Sequence, residues 1–115
     1  MKKIYNKLVR DYIPEEIMSE GKACLIRRLD DVEYLNALRT KLREEYNEWT
    51  AAMSKEDEIE ELADMMEIIH TIDDFHGGAI SRKKFTKHDL KGGFYKRIHL
   101  EYVIENDEED GEDDQ

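Results

Sequence analysis

Residues 30–78 read DDVEYLNALRTKLREEYNEWTAAMSKEDEIEELADMMEIIHTIDDFHGG, and their apolar spacing sets the fold class. Tyr34, Leu35, Leu38, Leu42, Tyr46 and Trp49 recur at helical intervals. That spacing predicts a long helix, capped by Asp30 or Asp31 and running to about Met53. Ser54, with Asp57 three places on, is a weaker form of the capping-box pattern and marks the start of a second long helix. This one carries Ile59, Leu62, Ala63, Met66 and Ile69 on one side and stops near Gly77 and Gly78. So short a connection makes the two helices an antiparallel hairpin, and the expected fold is an all-α helical bundle built on it.

Outward from the hairpin the signals are shorter. Residues 1–13 mix basic and apolar side chains and end at Pro14, where a helix can begin with Glu15 and Glu16 complementing its dipole. Gly21 is the expected stop. Residues 23–28 are too few for a helix and read as a strand. Ser81 is expected to cap another short helix ending at Gly92 and Gly93, and residues 97–104 alternate imperfectly, as a strand does. The two strand-like segments are expected to pair as a small two-stranded ribbon.

At 115 residues the chain fits one domain, expected over residues 1–105. A domain this short buries little more than about 60% of its unfolded surface, so help from another subunit is natural. Residues 106–115 hold seven acidic and no basic side chains and read as a disordered tail. The tail supplies seven of the eleven net negative charges and leaves about four for the rest. The acidity argues against a general nucleic-acid binder, for which a basic face is expected, so no nucleic-acid partner is expected. Cys24 is the only cysteine, which excludes an intrachain disulfide, suits a reducing compartment and reads as a buried, inert thiol. No apolar stretch long enough for a signal peptide or membrane span follows Lys2, Lys3 and Lys7, so a cytoplasmic location without membrane contact is expected.

The chemistry is carried by acids on the hairpin. Glu45 and Glu48 lie three residues apart on the first helix, Glu61 and Asp64 three apart on the second, and each pair shares a face. An antiparallel arrangement brings the pairs to similar heights. On the order of seven acidic pairs at this spacing arise by chance, so position is what singles these out. Glu45 lies roughly 60° from the centre of its helix's apolar stripe, while Met65, Ile68 and Ile72 widen the second helix's apolar arc to about 200°. Carboxylates crowded beside such a surface need a cation or protons to neutralise them. Hard oxygen ligands favour Mg²⁺ or Mn²⁺ over Zn²⁺, and two such ions can activate a water and stabilise a leaving phosphate.

The run Tyr5-Asn6-Lys7-Leu8-Val9-Arg10-Asp11 with Ile13 and Pro14, the pairs Glu45-x-x-Glu48 and Glu61-x-x-Asp64, and the block Gly92-Gly93-Phe94-x-Lys96-Arg97-Ile98 occur in this order. Together they resemble the MazG-like, phosphoribosyl-ATP pyrophosphohydrolase-like group of all-α nucleotide pyrophosphohydrolases. The resemblance implies a homo-oligomer, dimer or tetramer, that cleaves a nucleoside triphosphate between its α and β phosphates. It implies that Glu45, Glu48, Glu61 and Asp64 form the catalytic metal site for Mg²⁺. It makes Lys7, Arg10, Asp11, Lys91, Lys96 and Arg97 the substrate-binding set, with Lys83 and Lys84 as further candidates for phosphate. Related sequences often carry arginine at the place of Lys91, and lysine keeps the charge but loses the bidentate fork. Glu44 or Glu45 is the candidate for orienting the attacking water.

Blander readings stand beside these. Arg10 and Asp11 can form a local ion pair. Gly92 and Gly93 can simply stop a helix, Tyr46 and Trp49 suit a core as well as a base-stacking surface, and the four histidines show no ligand spacing. The alternative functions are a non-catalytic helical module binding nucleotide or protein, and phosphoribosyl-ATP pyrophosphohydrolysis.

Overall fold

A computed structural model describes residues 1–106. Beyond Asn106, the acidic tail expected from the sequence lies outside the described residues. The chain divides into two compact units, Met1–Ser81 and the residues from Arg82 onward. Four helices are present among the described residues: α1 (Ile13–Ser19), α2 (Asp31–Thr50), α3 (Lys55–Phe75) and α4 (Ala79–Lys91). The fold is all-α, as the periodicity requires.

Caps place the hairpin. Asp30, rather than Asp31, starts α2: its carboxylate accepts from the Glu33 backbone N–H at 2.8 Å, and the Glu33 side chain accepts from the Asp30 N–H at 3.3 Å. The two bonds satisfy otherwise orphaned donors reciprocally. Ser54 Oγ accepts from the Asp57 N–H at 3.0 Å and starts α3. To do so Ser54 is extended, at φ −132° and ψ 159°, so α2 stops at Thr50 and residues 51–53 make the reversal.

Both ends of the hairpin are pinned. Trp49 Nε1 on α2 donates to Glu58 Oε1 on α3 at 3.1 Å, and the Tyr34 and Phe75 rings meet edge to face at 6.1 Å. Leu38 (3% exposed) and Ile68 (8%) lie between and are the buried apolar residues among those described. This register carries Glu45 and Glu61 to the same height, one turn from the Trp49 end.

α3 passes into α4 through His76, Gly77 and Gly78, the glycines in left-handed backbone at φ 66° and 82°. Ser81 does not cap α4, as its sequence position suggests; it lies inside the first turn. The cap comes from the preceding helix. The buried Asp73 carboxylate accepts from the Ile80 N–H at 2.8 Å, the Ser81 N–H at 3.2 Å and the Ser81 hydroxyl.

The expected ribbon is absent: neither residues 23–28 nor residues 97–104 form a strand among the described residues. In the first segment, the Arg27 guanidinium grips both Glu33 oxygens at 3.1 and 3.0 Å and ties the chain to the first turn of α2. In the second, Arg97 takes φ 59° as its N–H donates to the Phe94 carbonyl, kinking the backbone where a strand was to begin. Cys24, expected buried, is exposed in the first of these segments. No helix among the described residues is long and apolar enough to cross a membrane.

Candidate metal centre

Regular helical geometry on α2 and α3 brings the acids together. Glu45, Glu61 and Asp64 each offer a carboxylate oxygen, and the three oxygens lie within 4.8 Å of one another. All three residues are half-buried. Glu48 stands beside this trio and not in it, within hydrogen-bonding reach of Glu61. Three of the four predicted ligands therefore converge, with the fourth at the margin.

The electrostatics are those of a site only partly compensated. Oε2 of Glu45 and Oε2 of Glu61 are shielded from solvent and have no hydrogen-bond partner. A buried acceptor without a donor costs its full desolvation penalty. The carboxyls respond by holding protons more tightly. Burial first, then the Glu48 and Asp64 charges, push Glu45 up from its ordinary value. Glu48 is raised mainly by the hydrogen bond it shares with Glu61, and Glu61 mainly by the one it shares with Glu45.

The donor set is all carboxylate oxygen, which suits a hard cation such as Mg²⁺ or Mn²⁺. Oxygens sharing one Mg²⁺ at about 2.1 Å are at most about 4.2 Å apart, so the trio is within side-chain adjustment of a common site. The two partnerless oxygens are what such an ion satisfies.

A 54-residue stretch of the chain is 46% identical to an uncharacterized protein of Mycolicibacterium smegmatis. The match covers 47% of this chain and spans 55% of that protein's length. No protein-family profile matches the chain, and no solved structure matches it.

Of the basic residues proposed for substrate, Arg10 reaches the acids. Its Nη2 lies 2.7 Å from Asp64 Oδ1, and it pairs there rather than with Asp11, the local partner the sequence suggested. Asp11 is exposed in the turn ahead of α1. Lys7 Nζ lies 5.7 Å from the centre of the Tyr5 ring, which it shares with Lys3. Lys91 is the last residue of α4, and Lys96 and Arg97 follow in the Phe94–Arg97 turn; like Lys83 and Lys84, these are exposed residues of the second unit. Gly92, at φ 83°, ends α4 as glycine commonly does. Tyr46 and Trp49 pack edge to face at 6.0 Å, and Trp49 also bonds across the hairpin, which makes it a structural residue.

Two consequential contacts carry no local sequence signal. Arg10 and Asp64 are 54 residues apart, and Asp73 sits on a helix before the one it caps.

Proposed function

We propose that the protein is a Mg²⁺-dependent nucleotide pyrophosphohydrolase of the MazG-like kind, cleaving a nucleoside triphosphate to a monophosphate and pyrophosphate. The observation that supports this reading best is the convergence of Glu45, Glu61 and Asp64 with two shielded, partnerless oxygens. In this proposal those three side chains hold Mg²⁺, or Mn²⁺ in its place. The bound ion supplies positive charge against phosphate oxygens as the anhydride breaks. Glu48, beside the trio and outside it, is the carboxylate left to orient the attacking water and take its proton. Arg10 faces the phosphates, with Lys7, Asp11, Lys91, Lys96 and Arg97 as the remaining binding candidates. The reading includes a homo-oligomer in the cytoplasm and no nucleic-acid partner.

Incubation of the folded protein with Mg²⁺ and a panel of nucleoside triphosphates, phosphoribosyl-ATP included, tests it. Pyrophosphate release is expected from at least one member, falling on the order of 100-fold or more in Asp64→Asn, as loss of a strong electrostatic group does. Absence of turnover on the whole panel, with helicity intact, sinks the enzymatic reading. A purely binding module has one observation in its favour, the exposed apolar residues Ile59, Met66 and Ile69. It requires that alanine at Glu45 and Asp64 leave the cellular phenotype unchanged.

A further inference from the structure

We infer that Arg10 is a resident counter-ion of the carboxylate centre, which a divalent cation displaces from Asp64, and that the freed guanidinium then receives the anionic phosphates of the substrate. The inference rests on the proposed metal centre and adds an order of events to it.

Three observations converge on Arg10. Its guanidinium lies 2.7 Å from Asp64 Oδ1, and Asp64 is one of the three residues whose oxygens cluster. Each of the other two members of the cluster keeps a shielded oxygen with no hydrogen-bond partner. The backbone at residue 10 is held in the turn that starts α1, its carbonyl accepting from the Ile13 N–H at 3.1 Å, while the side chain stays more than half exposed. Arg10 thus has a fixed root and a free end.

The physics of the pair makes it a temporary one. An exposed ion pair contributes little to stability, so releasing it is cheap. A divalent ion drawn to the same carboxylate brings a second positive centre beside the guanidinium, and the repulsion is relieved when the arginine swings away. Five N–H donors in a planar fork then match phosphate oxygens better than any other side chain does. Without metal, Arg10 offsets one of the clustered charges. With metal, it is free for substrate.

The test is Mn²⁺ titration of the full chain, following free Mn²⁺ by electron paramagnetic resonance, in wild type, Arg10→Ala and Arg10→Met. Arg10→Met keeps the apolar stem and separates charge from packing. Both variants are expected to bind Mn²⁺ about two- to fivefold more tightly, the range an exposed ion pair allows, with the gain shrinking at high salt. With Mn²⁺ saturating, both are expected to bind α,β-methylene analogues of the nucleoside triphosphates about tenfold more weakly than wild type. Unchanged or weaker Mn²⁺ binding in the variants shows that Arg10 steadies Asp64 for the metal and overturns the exchange. Wild type that binds no Mn²⁺ overturns the metal centre itself and this inference with it. Analogue affinity equal to wild type removes the second half of the proposal.

Discussion

At Glu45 two demands collide: its position on α2 half-buries the carboxylate, and its neighbours across the hairpin are acids. Glu45, Glu48 and Glu61 all answer by rising above the ordinary value of 4.5. A folded value above the unfolded one means that protonation favours the folded chain. The benefit is full below the unfolded value and is lost as pH rises through the folded values. Metal-free protein is therefore expected to lose thermal stability as pH rises past 4.5 through the raised glutamate range, and added Mg²⁺ at neutral pH is expected to restore it. Thermal melts followed by circular dichroism, with and without EDTA, measure both. A Tm that is indifferent to Mg²⁺ and to pH in that range counts against a strained centre. Glu61→Gln removes one repelling charge, so its metal-free Tm at neutral pH should exceed that of wild type while the response to Mg²⁺ disappears. A lower Tm means that Glu61 is stabilising as a charge, contrary to the reading of the site. These acids were legible in the sequence because a three-residue spacing on a helix fixes a shared face whatever the rest of the chain does. The partner of Arg10 was not, since nothing local ties a loop arginine to a helix 54 residues on.

Among the elements, the joint between α3 and α4 behaves in the opposite sense. The Ser81 hydroxyl, followed by the backbone N–H groups of Ser81 and Ile80, holds the Asp73 carboxyl below its ordinary value of 3.8 against the opposing effect of burial. A depressed folded value gives stability that is present above the unfolded value and lost as pH falls through the folded one. Acidification past the glutamate range should therefore loosen the start of α4 after the carboxylate centre has relaxed. Asp73→Asn keeps the shape but not the charge, and is expected to lower Tm at neutral pH by several degrees. Faster amide exchange at Ile80 and Ser81 should accompany it. Equal exchange rates in variant and wild type show that the cap is dispensable. The sequence indicated a helix here but set its cap at Ser81, because capping rules look one to three residues ahead and Asp73 acts from the previous helix. The failed ribbon has the same origin: the shortness of residues 23–28 and the imperfect alternation of residues 97–104 say nothing of the Arg27 fork that ties the first segment to α2 or of the left-handed Arg97 that kinks the second.

For the whole molecule, the width of the α3 apolar arc is the informative quantity. Periodicity gave about 200°, too wide for contact with α2 alone. Within the chain, α2 takes one side, where Ile68 is buried and Met65 and Ile72 are half-buried, while Ile59, Met66 and Ile69 remain 57%, 72% and 42% exposed. On α2, Tyr46 and Val32 are likewise exposed. A hairpin with so few buried side chains is marginal by itself, and solvent-facing apolar rows of this kind mark association surfaces. Sequence could show that a second apolar surface existed but not what covers it, because pairing geometry is not written in helical period. Light scattering after size exclusion at micromolar concentration is expected to give a dimer or tetramer. Met66→Glu and Ile69→Glu each place a charge in this exposed row, so both are expected to shift the mass toward monomer and lower Tm. Neither residue belongs to the carboxylate centre, and any Mn²⁺ site built within a single hairpin should survive in the dissociated chain. A wild-type chain that is monomeric and fully helical across that concentration range refutes the assembly and leaves the exposed row to some other partner.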